Sequence, residues 1–254
     1  MKLSIIIPNR GRDASLALYR RSLGVAFTQT GHAVRDIELT GIYPQLIAES
    51  GPFCKSRFLN AGIGTATGNI LLFLDADAIV PPRFFETIHR LDDPTLTKLC
   101  YRVRRIPQTE VDHLLTEPDQ RQFLTDIFSH YDDYPLAHEG YGRPTWNRPK
   151  QPREPVFGNS QFAIRRETLG DLRFDEEYVG RGYEDLDMNL RIWEKYGEAY
   201  RAEIVTDSDH ALLHITDKSH DAHWGDGKKD LNYQNSLRYH RKEAQCLQRL
   251  TETH

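Results

Sequence analysis

Ile70-Leu71-Leu72-Phe73-Leu74-Asp75-Ala76-Asp77-Ala78-Ile79-Val80-Pro81-Pro82 is an apolar run that delivers two carboxylates and then breaks at two prolines. Five consecutive apolar residues bounded by turn chemistry predict a strand covered on both faces. A side-chain period of two then places Asp75 and Asp77 on the same side, where both can reach one ion. The carboxyl end of such a strand is also where open α/β sheets hold their ligands. The competing reading is a solvated strand end, because the chain carries 37 acidic residues and two further Asp-x-Asp pairs, Asp185/Asp187 and Asp207/Asp209. Neither of those follows an apolar strand. After Pro82 a helix can start, with Phe84, Ile88 and Leu91 on one face.

Moving toward the N-terminus, Phe53 to Gly64 predicts a short helix packed tightly before this strand, with Lys55 and Arg57 offering phosphate contacts. Leu3 to Ile7 predicts a second buried strand. It stops at Pro8-Asn9-Arg10-Gly11-Arg12, which reads either as an anion loop or as an ordinary strand-to-helix connection. Leu16, Tyr19, Leu23 and Phe27 then mark a helix, with Asp13 as a candidate N-cap. Strand, loop and helix at the start suggest a βαβ unit. One or two weak strands are expected between Ala33 and Pro52.

Toward the C-terminus, Leu99, Tyr101 and Val103 alternate in a strand expected over 98–103. Between Arg104 and Pro155 prolines, charges and aromatics accumulate, which predicts an irregular insertion that could form an acceptor wall or lid. Regular structure is expected to resume at Phe157-Gly158-Asn159-Ser160-Gln161-Phe162, a polar turn running into a strand. Leu186, Leu190 and Trp193 share a helical face and Gly197 can end that helix, so Glu184 and Asp185 sit at its N-terminus. There they serve either as caps or as catalytic acids, with the helix dipole favouring the ionised form. Of five histidines between His210 and His240, only His214 lies in an apolar run, where it is either a satisfied core histidine or a ligand.

At 254 residues, with 39% apolar and 28% charged residues, the chain is an ordinary polar globular protein, expected to form a single domain. A net charge of −4 argues against coating nucleic acid or membrane by bulk electrostatics. Three scattered cysteines fit neither a disulfide framework nor a cysteine-rich zinc site and suggest a reducing cytoplasm. No span approaches transmembrane length, so any lipid-linked acceptor would be met at the membrane surface.

Taken together, the stretches resemble a glycosyltransferase of the GT-A fold, close to family 2 and to the C-terminal pattern of galactosyltransferases and chondroitin polymerases. The likeness rests on Ile5-Ile6-Ile7-Pro8-Asn9-Arg10, on Arg57-Phe58-Leu59-Asn60-Ala61-Gly62 before Leu74-Asp75-Ala76-Asp77, and on Gly158-Asn159-Ser160-Gln161. It continues with Gly182-Tyr183-Glu184-Asp185 and His214.

The resemblance implies a mainly parallel twisted sheet with helices on both faces. Residues 1–103 would hold the nucleotide sugar, 104–155 would be the insertion, and 156–254 would serve the acceptor and catalysis. It implies an inverting, metal-dependent transfer of a hexosyl or N-acetylhexosaminyl group, with a UDP-sugar as donor and a glycan or other hydroxyl compound as acceptor. Asp75, Asp77 and His214 would hold a divalent ion, manganese or else magnesium. Pro8, Asn9, Arg10, Arg57, Asn60, Asp75, Ala76, Gly158, Asn159 and Glu184 would contact substrates, and Asp185 would be the general base.

The family's acidic nucleobase-contacting turn has no counterpart that can be placed between Ile37 and Gly51. A nucleotidyltransferase is the enzymatic alternative, but residues 8–12 lack its Gly-rich basic loop. A catalytically dead nucleotide-sugar binder is the non-enzymatic one. A nucleic-acid acceptor is suggested by Lys228, Lys229, Arg238, Arg241 and Lys242, against the plainer reading of a solvated helix face.

Overall fold

The computed structural model describes residues 2–9, 13–29, 36–40, 53–107, 109–112, 118–136, 160–180, 182–216 and 228–252. The large sheet contains β1 (Lys2–Ile6), β2 (Asp36–Thr40), β3 (Ile70–Phe73), β5 (Lys98–Tyr101), β7 (Phe162–Arg165) and β8 (Ala202–Val205). Their order is β2-β1-β3-β7-β5-β8. β1 runs parallel to β2 and β3, and β5 runs parallel to β8. β7 alone is reversed, antiparallel to both β3 and β5. A smaller sheet, in the order β4-β9-β6, joins β4 (Ala78–Ile79), β9 (Leu212–Thr216) and β6 (Val103–Pro107).

The large sheet is covered on both faces, as the buried runs in β1 and β3 require, with Ser4 and Lys98 the buried polar exceptions among the described residues. Leu3, Ile5, Ile70, Leu72, Leu99, Tyr101 and Ala163 face one core, which is closed by Tyr19, Leu23 and Ala26 of α1 (Asp13–Gln29) and by the 3-10 helix Phe84–Asp92. The alternate residues Ile6, Leu71, Phe73, Cys100, Phe162 and Ile164 face a second core. It is closed by Leu59 and Ile63 of α2 (Lys55–Thr65) and by Met188 and Ile192 of α4 (Glu184–Tyr196). Helices therefore cover both faces, as the resemblance implied. Gly62 permits the close seat of α2 on β1, since a Cβ there would lie 2.4 Å from Ile6 Cγ2.

Three expectations need correction. The strand expected over 98–103 is two strands in two sheets: Arg102 N donates to Val205 O while Arg102 O accepts from Leu212 N, and the chain crosses over at that residue. The described part of the expected insertion is largely regular. The boundary at Arg104 cuts through β6, and α3 (Gln120–Ser129) covers the small sheet with Leu124, Ile127 and Phe128 against Ile106, Leu213 and Ile215. The small sheet is apolar on both faces, with Val103 and Leu212 in the main core and Ile106, Leu213 and Ile215 under α3, although the sequence around it is rich in prolines and charges. Residues 137–159 lie outside the described residues.

The C-terminal helix α5 (Lys228–Glu252) is the third correction, because Arg238 and Lys242, two of the five basic residues expected on a solvated face, are engaged by the fold, while Arg241 is exposed. Arg238 pairs with Glu177 at 2.6 Å, and Lys242 pairs with both Asp175 and Asp187. These contacts dock α5 on the turn before α4, with Leu186 and Trp193 of α4 packing beside Leu190 and Tyr239. Cys54, Cys100 and Cys246 are buried and form no disulfide. No helix among the described residues is long and apolar enough to cross a membrane.

Candidate active site

The register of the large sheet brings the polar residues together. Ile6 lies opposite Phe73, and Phe73 opposite Phe162. The ends of β1 and β3 therefore meet the start of the reversed β7, with Pro8-Asn9, Asp75 and Ser160-Gln161 at one edge.

Asp75 and Asp77 do not share a strand face. β3 ends at Phe73, and the chain turns so that Ala78 N donates to Asp75 O at 3.1 Å. The two carboxylates converge through this turn instead of through the strand period. β4 then pairs with β9 so that Ala78 stands opposite His214, and Ile215 N donates to Asp77 O at 3.0 Å. That ladder sets His214 Nε2 3.1 Å from Asp77 Oδ1. Ligand atoms of Asp75, Asp77 and His214 all fall within 4.8 Å of one another. Two hard oxygen donors and one imidazole suit manganese or another divalent ion, so the residues fit the cation the resemblance implied.

Asp75 is held from both sides. Lys55, at the start of α2, places Nζ 2.6 Å from Asp75 Oδ1 and 3.5 Å from Glu184 Oε1. Ser160 Oγ donates to Asp75 Oδ2 at 3.0 Å and Gln161 Nε2 at 2.5 Å, while Gln161 Oε1 accepts from Asp75 N at 2.8 Å. Burial alone would raise the Asp75 carboxyl, yet the adjacent Lys55 ammonium and His214 outweigh it and hold the group below the usual carboxylate range. Burial would likewise lower Lys55, but Asp75, Glu184 and Asp185 together push it above an ordinary lysine.

Glu184 and Asp185 open α4 directly after Tyr183, a residue held in the left-handed region at φ 73°. Tyr183 is the capping residue and its side chain makes no capping bond, so neither acid serves as the N-cap. Glu184 is buried, and the loss of water pushes it up to about 7, with Lys55 pulling down and Asp185 pushing up. Asp185 accepts a hydrogen bond from Leu186 N at 3.0 Å. Its carboxyl is nonetheless raised, chiefly by burial and also by Asp75, against the pull of Lys55. The expectation that the helix end holds Asp185 low is thus overturned, because desolvation outweighs the dipole.

The remaining candidates divide. Asn9 is buried, and its Oδ1 has no hydrogen-bond partner among the described residues, which suits a group awaiting a ligand. The Ala76 side chain packs into the core beneath the turn. Asn60 spends its amide on the fold: Nδ2 donates to Phe174 O and Glu176 Oε1, and Oδ1 accepts from Phe174 N. Arg57 is half exposed, 3.5 Å from Glu176. Arg10, Gly158 and Asn159 lie outside the described residues. Sequence reading missed Ser160 and Gln161 as supports of Asp75 and missed Lys55 as its counter-ion. The usable signal was a polar pair immediately before a strand, but its value depends on β7 being reversed.

No protein-family model matches the chain, and no curated protein matches it. Solved structures do. Residues 1–349 of S. aureus TarS in complex with UDP-GlcNAc align with a TM-score of 0.51 at 13% identity, covering 86% of this chain and 59% of that one. The same protein with UDP gives 0.50 at 12% identity, covering 88% and 63%. The fold is that of the GT-A glycosyltransferases. A Drosophila β1,4-galactosyltransferase 7 mutant in complex with manganese, UDP-Gal and xylobiose aligns at 0.47 and 14% identity, covering 87% and 73%. The chain spans about three fifths of TarS 1–349.

Proposed function

We propose that the protein transfers a sugar from a nucleotide-diphosphate sugar, a UDP-sugar, to an acceptor hydroxyl with inversion. The observation that carries this reading is the meeting of Asp75, Asp77 and His214 at the sheet edge where Lys55 links Asp75 to Glu184, in a GT-A fold. TarS structures holding UDP and UDP-GlcNAc support the choice of donor.

Asp75, Asp77 and His214 would hold the divalent cation, manganese or magnesium, which when bound supplies positive charge beside the departing diphosphate. Asp77 and His214 are the prepared pair. Asp75 reaches the ion only by sharing an oxygen with Lys55, Ser160 or Gln161. Residues 1–103 form the donor half, with Pro8, Asn9, Arg10 and Arg57 on the nucleotide side, and 156–254 supply the acceptor side. Asp185 takes the proton of the attacking hydroxyl. Its raised affinity for a proton makes it a stronger base than a solvated aspartate, and Lys55 keeps it anionic until transfer. Glu184 positions the acceptor. With one base opposite the leaving group, attack proceeds in line and the anomeric configuration inverts.

Release of UDP from UDP-GlcNAc in the absence of acceptor, measured with manganese and with EDTA, tests the reading. Metal-dependent release marks a catalyst, and binding of UDP without release marks a dead binding module.

A further inference from the structure

We propose that α5 is a clamp that sets the position of the Glu184/Asp185 pair, with Lys242 as its principal positioning residue; this rests on the glycosyl-transfer reading above. The turn that delivers the two acids is conformationally costly. Gly180 (φ 83°), Gly182 (φ 91°) and Tyr183 (φ 73°) all occupy positive φ within four residues, and Tyr183 is the sole non-glycine of that kind among the described residues. A bulky aromatic residue persists in such a state only where its surroundings over-determine it.

α5 supplies that constraint at successive turns. Asn235 Nδ2 donates to Val179 O at 3.0 Å and to Gly182 O at 3.3 Å, bracketing the turn. The Tyr183 ring lies 5.7 Å from that of Tyr239 and 6.2 Å from His240, measured between centroids. A Cβ on Gly180 would meet Leu231 Cδ1 at 3.3 Å, so the helix lies flush on the backbone. Lys242 closes the far side, 2.6 Å from Asp175 Oδ2 and 2.8 Å from Asp187 Oδ1. Asp187 is fully buried in the first turn of α4, two residues beyond Asp185, and also receives Tyr178 OH and Arg191. The cation from α5 thus grips both ends of the segment that carries the acids.

The test uses the full chain and its Lys242→Met and Lys242→Arg variants. Three quantities are read: amide hydrogen exchange over 176–188, the affinity for UDP with manganese, and kcat and KM for UDP-GlcNAc hydrolysis. The clamp predicts that Lys242→Met speeds exchange in that segment by about tenfold or more while β1 and β3 keep their protection. It predicts a kcat lowered about tenfold or more with UDP affinity unchanged, and recovery of both by Lys242→Arg. If Lys242→Met melts too early to assay, Asn235→Ala, which leaves no buried charge behind, must give the same pattern. Unchanged exchange over 176–188 overturns the clamp. Faster exchange with undiminished kcat overturns the positioning role. A folded wild type that cleaves no nucleotide sugar refutes the functional reading instead, and the exchange experiment still decides whether α5 holds the turn.

Discussion

His214 Nε2 sits 3.1 Å from Asp77 Oδ1, a contact made by two short strands that pair only because β9 returns from the far end of the chain. If this pair is half of a cation site, His214→Ala should raise the manganese concentration needed for UDP binding by about 10–100-fold. A calorimetric manganese titration in the presence of UDP measures this. A titration identical to wild type would reduce His214 to a core residue.

Lys55 neutralises Asp75 from the start of α2, with Nζ 2.6 Å from Oδ1. Removing the cation from this partly buried pair leaves Asp75 without its counter-ion, so Lys55→Met should lower the melting temperature of the metal-free protein. Manganese should restore part of that loss by supplying positive charge to the same carboxylate. Thermal melts with and without manganese check both statements, and an equal deficit in the two conditions would separate Lys55 from the metal site.

Glu184 is raised by burial to about 7. The sign follows directly: the folded state binds this proton more tightly than the unfolded chain, so the contribution to stability is full below the ordinary glutamate range. It is lost as pH rises through about 7. Glu184→Gln cannot ionise and should therefore melt higher than wild type at pH 8, with the advantage shrinking toward pH 4. Melting curves across that range provide the check, and a variant less stable than wild type at pH 8 would contradict it.

Asp185→Asn keeps the shape of the α4 terminus and removes the proton acceptor. Turnover should fall by ~10²–10⁴-fold while UDP and manganese affinities stay close to wild type. The acid limb of the wild-type pH profile should lie above the usual carboxylate range, since both Asp185 and Glu184 are raised. Near-normal turnover in Asp185→Asn would pass the role of base to Glu184, tested in turn by Glu184→Gln.

The strands carrying the site were legible because β1 and β3 are largely apolar and buried on both faces, and so were Asp77 and His214, each lodged beside an apolar run. The convergence of Asp75 and Asp77 was legible but for the wrong reason, since a turn and not the strand period joins them. The supports of Asp75 were hidden because Ser160 and Gln161 arrive through a reversed strand, and strand direction leaves no mark on a short apolar run. The split at Arg102 was hidden likewise, because Leu99, Tyr101 and Val103 keep one alternation across two sheets while facing one core. Asp185 was misjudged in its proton affinity because a helix end can be read from sequence and burial by neighbouring elements cannot.

The most direct test of glycosyl transfer is nucleotide release from a panel of UDP-, GDP-, dTDP- and ADP-sugars, with manganese and with EDTA, for wild type and Asp77→Asn. The account predicts release from a UDP-sugar by wild type with manganese, loss of that release in EDTA, and loss of it in Asp77→Asn with the fold intact. A folded wild type that binds and cleaves none of these donors with manganese present would contradict it.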